Sequence, residues 1–175
     1  MLLGGMMLVY HPMNDPYHCI YRILCILFDL KQDNIDVDLI RILDFYVLFP
    51  SRLKNIVLPQ IYNSYKKIFK DISEPYENLP IDIKLLKGLN ELQNSALKTL
   101  AAYNIIDSYH YLNEDKIFFY KDNISQGMLS IINESRIRQQ NWYKILIEKI
   151  SIIEFYGNKG LKYRTKLLEY QYDAI

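Results

Sequence analysis

The stretch Pro80 to Asp122 reads Pro-Ile-Asp-Ile-Lys-Leu-Leu-Lys-Gly-Leu-Asn-Glu-Leu-Gln-Asn-Ser-Ala-Leu-Lys-Thr-Leu-Ala-Ala-Tyr-Asn (80–104), Ile-Ile-Asp-Ser-Tyr-His-Tyr-Leu (105–112), Asn-Glu-Asp (113–115) and Lys-Ile-Phe-Phe-Tyr-Lys-Asp (116–122). Ile83, Leu86, Leu89 and Leu92 recur at three-residue steps, near one face of a helix. Gly88 weakens that helix by about 1 kcal/mol relative to alanine. Asn94 or Ser95 can cap a second helix, in which Leu97, Leu100 and Ala101 recur at i, i+3 and i+4. The two following runs are rich in Ile, Phe and Tyr and are separated by the polar turn Asn113-Glu114-Asp115, a hairpin pattern. Helix, turn, helix, hairpin is the order of a winged-helix unit.

Working outward, the N-terminal side predicts buried helices. Asn14-Asp15-Pro16 is a turn signal, with Asp15 placed to cap a helix and Pro16 at its first position. From Tyr17 to Leu30 that helix is apolar almost all round, and His18, Arg22 and Asp29 form a single wet stripe. Asp36 begins a second apolar helix, which Pro50 stops near Phe49. Pro59 opens a third helix through Phe69, with Lys66, Lys67 and Lys70 near its end. Met7 to Tyr10 has the pattern of a short strand. On the C-terminal side, Asn123-Ile124-Ser125 caps a helix, and Trp142 to Phe155 forms another that Gly157 ends. The remainder to Ile175 is an extended tail in which Lys159, Lys162, Arg164 and Lys166 precede the first acid, Glu169. The expected organisation is mainly helical α+β: an N-terminal helical region over 1–72, a winged-helix unit over 73–122, and C-terminal helices with a basic tail over 123–175, sharing one core.

Totals narrow the function. In 175 residues, half are apolar and the formal net charge is +1, so the chain is globular and gives no general reason to expect nucleic acid or a membrane surface as partner. Apolar runs fall far short of the ~20 residues that span a bilayer. The start lacks the basic segment of a signal peptide. Cys19 and Cys25, six apart on a helix, are out of register for a disulfide, which suits a reducing cytoplasm.

Chemistry is thinly represented. His11, His18 and Cys19 lack metal-ligand spacing, since neighbours on a helix point about 100° apart. There is no G-x-S-x-G elbow and no paired carboxylates marked as acid and base. No Walker A loop occurs either, so any ATP belongs to a partner. We therefore expect no catalytic residue, cofactor or metal. The candidate recognition helix offers Asn94, Ser95, Lys98 and Thr99 with a single charge, and the wing tip is acidic, so DNA is expected to be met only weakly or indirectly. A free-standing winged-helix transcription regulator is the alternative reading.

Three stretches, His-Pro-Met-Asn-Asp-Pro-Tyr-His-Cys-Ile-Tyr-Arg (11–22), Leu-Asp-Phe-Tyr-Val-Leu-Phe-Pro-Ser-Arg-Leu-Lys (43–54) and Gly-Leu-Lys-Tyr-Arg-Thr-Lys-Leu (160–167), together resemble the middle component of ABC three-component systems, the group that includes Lamassu-type anti-phage defence. The resemblance implies a small non-enzymatic adaptor between an SMC/Rad50-like ABC ATPase and an effector, often a nuclease. Lys166 stands where the family pattern has a small residue. Within these stretches, Arg52, Leu53 and Lys54, and Leu161, Lys162, Tyr163 and Arg164, set cations beside apolar anchors. That mixture is expected where a subunit grips an acidic groove on a partner.

Overall fold

The protein is described here by a computed structural model covering residues 12–76 and 78–168. The strand expected over Met7 to Tyr10 lies outside the described residues. The first helix, α1, spans Pro16–Asp29, and Asp15 caps it as expected by accepting a hydrogen bond from Tyr17 N–H at 2.9 Å. Helix α2 follows over Val37–Leu48, entered from Asp36 and ended before Pro50. Next come 3-10 turns over Pro50–Asn55 and Gln60–Tyr65, then the short helix α3, Lys66–Lys70. The single third helix expected from Pro59 to Phe69 is thus a tight 3-10 stretch that relaxes into one α-helical turn.

Helix α4 is the long element, Asp82–Ala102, and it corrects the expected break at residues 94–95. Leu85, Leu86, Leu89, Gln93, Ala96, Leu97 and Leu100 are all buried, so the inward face passes unbroken through the polar run that suggested a turn. The polar side chains there are used in place, not as caps: Gln93 reaches Asp44, and Asn94 Oδ1 accepts from Arg41. Gly88 lies on the solvent face, where an added Cβ would meet nothing within 4 Å.

The expected hairpin is also not formed. Ser108–Glu114 is a helix, α5, capped by the Asp107 side chain and closed by Asp115 in the left-handed conformation at φ 51°. A local N-cap of this kind outweighs the β preference of Tyr and Ile over so short a run. Residues 113–115 are therefore a helix C-terminus. The strand after it, β2 (Lys116–Ile117), pairs antiparallel with β1 (Ile35–Asp36), far away in sequence, with Ile35 opposite Ile117. A single bridge, Ile106 with Phe119, is what remains of the hairpin. Residues 80–122 do not build a helix-turn-helix with a wing; the fold is mainly helical with one small two-stranded sheet.

Helix α6 runs over Gln126–Asn133 from its expected cap, Ser125. The helix expected from Trp142 to Phe155 is shorter: α7, Asn141–Ile145, continues as one π-helical turn, Leu146–Ile150. Gly157 is no helix cap but a turn residue at φ 90°. The expected extended tail folds into a last helix, α8 (Leu161–Thr165), because Leu161 and Leu167 are both buried.

Helices α1, α2 and α4 pack on one another, and buried residues from residue 19 to residue 167 form one apolar cluster. Within it Ile23, Ile26, Ile40, Leu43, Phe45, Leu89 and Leu97 are fully enclosed, each contributing about 1.5–3 kcal/mol of transfer free energy. Cys19 and Cys25 are free and buried. No helix of the described residues is long and apolar enough to cross a membrane.

Candidate interaction site

The two N-terminal motifs meet inside the core. Arg22 and Asp44, both 0 % exposed, form a bidentate ion pair: Nε donates to Oδ1 at 2.6 Å and Nη2 to Oδ2 at 3.1 Å. Gln93 Nε2 donates to the same Oδ2 at 2.8 Å, and the Arg22 Nη1 donates to His18 Nδ1 at 2.8 Å. That last bond requires a neutral ring. Burial first, and the adjacent Arg22 guanidinium second, lower the His18 pKa, which keeps Nδ1 an acceptor. Burial also pushes the Cys19 thiol up to about 12, with Asp44 adding to the effect, so it is no nucleophile near neutral pH. The stripe expected to be wet is therefore a line of internal partners. Asp29, further along α1, continues it by accepting two bonds from Arg138 and one from Tyr143.

The third motif meets the chain just beyond the second, after the C-terminal end of α2. Val57 N–H donates to Arg164 O at 3.0 Å, and Arg164 Nη1 donates to Val57 O at 2.8 Å. Arg164 Nε also donates to Lys159 O, so its guanidinium ties α8 to the chain that leaves the 50–55 turn. Gly160 makes the joint possible: an added Cβ would lie 2.2 Å from Tyr156 O and 2.7 Å from Phe155 O.

Arg164 of one expected partner-binding segment is thus bonded to Val57, three residues beyond the other, and the residues of the two segments divide by role. Leu53 and Leu161 are 0 % exposed and belong to the core, which corrects their reading as anchors for a partner. Arg52 Nε lies 3.3 Å from Asp82, and Lys54 pairs with Glu74. Tyr163 is exposed and Lys162 half-buried on α8.

Lys166 explains itself only in three dimensions. It caps α8 at φ 55°, and of the four non-glycine residues with positive φ among the described residues it alone is neither Asn nor Asp. Lys166→Gly is expected to raise stability by roughly 0.5–1 kcal/mol, because relief of left-handed strain exceeds the added freedom of the unfolded chain. Urea titration of the pair decides it; equal or lower stability would show that the turn carries no strain.

One cluster was not foreseen. Asp107 Oδ1 accepts from His110 N–H and from His110 Nδ1, and Oδ2 accepts from the Tyr120 hydroxyl at 2.6 Å. These bonds, the backbone one foremost, hold the Asp107 carboxyl well below the usual carboxylate range. The His110 ring lies against Phe118, 4.3 Å between centroids, so the group locks α5 to the strand after it. The available signal was Asp107-Ser108 followed by His110, an N-cap pattern inside an apparent strand. Among the described residues, no group of three or more His, Cys, Asp and Glu is placed to hold a metal ion.

These joints define a small mainly helical protein in which Arg22, Asp44 and Arg164 hold its parts together. The chain belongs to the family described as ABC-three component (ABC-3C) system Middle Component 5, which it matches over residues 8–173. It is accordingly a middle component of a multi-component ABC system. No curated protein and no solved structure matches it.

Proposed function

We propose that this chain is a non-enzymatic adaptor that joins an SMC/Rad50-like ABC ATPase to an effector nuclease in a Lamassu-like anti-phage defence complex. The observation that carries the reading is family membership across nearly the whole chain, residues 8–173. It is supported by the way ionisable side chains are used. Arg22, Asp44, Asp29, Arg138 and Asp107 are each engaged by neighbours within the fold, which supports a structural role for them. The rival reading, a free-standing winged-helix regulator, loses its main support with the unbroken α4. Tagged protein co-expressed with the products of its neighbouring genes is expected to retain both an ABC ATPase and an effector through purification. Alone it is expected neither to hydrolyse ATP nor to cut DNA. Elution free of both partners, or turnover abolished by a point change in this chain, would defeat the adaptor reading.

A further inference from the structure

Two stretches distant in sequence, 50–70 and 155–168, together contain nine Lys and Arg and no Asp or Glu. The other twelve cations are set against all twenty acids, so a chain of net charge +1 is strongly polarised. Folding joins the two stretches through the paired hydrogen bonds of Val57 and Arg164, and α3 packs beside the 50–55 turn. Some of these cations are engaged within the fold: Arg52 lies against Asp82, Lys54 pairs with Glu74, and Arg164 is committed to backbone oxygens. Lys66, Lys67, Lys70, Lys159 and Lys166 are exposed and have no ion pair among the described residues.

The cations left exposed are all lysines, which bears on the ligand. Protein interfaces are enriched in Arg and depleted in Lys. Phosphate backbones, by contrast, are met by mobile lysine charges that release counterions on contact. Base-edge reading in a groove favours bidentate Arg, Asn or Gln; here the two arginines are already occupied. Val57, Ile61 and Tyr163 on the same two stretches are also exposed and give them an amphipathic character that a sugar-phosphate backbone tolerates. We infer that the lysine face formed by 54–70 and 159–166 binds a nucleic-acid backbone without sequence preference. The inference goes beyond the adaptor reading and does not depend on it.

The test is fluorescence anisotropy of the full chain with a labelled random-sequence DNA duplex. Micromolar affinity is expected at about 50 mM salt, falling about a hundredfold by 200 mM if some four phosphates are engaged. Lys66→Glu/Lys67→Glu and Lys159→Glu/Lys166→Glu should each weaken binding about tenfold or more. Lys31→Glu/Lys98→Glu, with the same charge change away from this face, should leave it within about twofold. Circular dichroism checks that each variant is folded. Binding that is absent, insensitive to the face variants, or equally weakened by the control pair overturns the inference. So does a preference for polyglutamate over DNA, which would make the face a protein-docking surface. Co-purification with the ATPase and effector should survive both face variants; its loss without any DNA binding would overturn this inference and leave the adaptor reading standing.

Discussion

Asp44→Ala is expected to destabilise the protein by about 3–5 kcal/mol, because it leaves the Arg22 guanidinium buried without a counter-charge. The side chain is 0 % exposed and holds Arg22 and Gln93 together, so water cannot replace it at low cost. Gln93 Oε1 has no partner in the core already, and removing Asp44 would leave Gln93 Nε2 with the Arg41 carbonyl as its remaining acceptor. For a chain of this length the loss corresponds to a fall in melting temperature on the order of 10 °C. The double replacement Arg22→Met/Asp44→Leu should recover most of it, since apolar residues of similar volume remove both desolvation penalties. Equilibrium unfolding of the two variants separates the cases. A change below about 1 kcal/mol in Asp44→Ala would mean that the pair does not hold α1 to α2.

Gly160→Ala is expected to cost about 3 kcal/mol or more, from a single added methyl group. The new carbon would lie 2.2 Å from Tyr156 O and 2.6 Å from its carbonyl carbon, both main-chain atoms that cannot swing aside. Relief requires α8 to move, which draws Leu161 and Leu167 out of the core and parts Arg164 from Val57. Gly88→Ala is the matched control: it sits in the open within α4 and should stabilise by up to about 1 kcal/mol through helix propensity. Paired denaturation curves check both signs. If Gly160→Ala unfolds with the wild type, the close approach of the two backbones is not obligatory.

Arg52, Lys54, Lys162 and Arg164 stand out in the chain because cations alternate with apolar residues, and the fold bonds Arg164 to Val57, just beyond Lys54. Alternation alone cannot say which neighbour an arginine will find. Arg164 reaches the backbone of Val57, and Leu53 and Leu161 turn inward, because helical and 3-10 geometry sends alternate residues to different sides than an extended tail would. Lysines that seemed incidental, Lys66, Lys67 and Lys70, join the face only after α3 docks near the 50–55 turn.

By itself the sequence determined the elements whose signals are local. Asp15 before Pro16, Pro50 after α2, and Ser125 before α6 set those helix boundaries through caps and proline geometry, independent of any distant residue, whereas Asp36 makes no side-chain cap and the Val37 N–H at the start of α2 is taken by the distant Asp115 carbonyl. The apolar content of α1 and α2 likewise settled that both are buried. Tertiary structure alone decided the continuity of α4 and the pairing of β2. Gln93-Asn94-Ser95 reads as a turn until Asp44 and Arg41 are brought opposite, where a buried carboxylate needs a donor and the helix supplies it. Lys116-Ile117 reads as the return strand of a hairpin until Ile35-Asp36 arrives to take its hydrogen bonds. In both places the deciding partner lies dozens of residues away, and no local periodicity encodes which buried polar group will be waiting there.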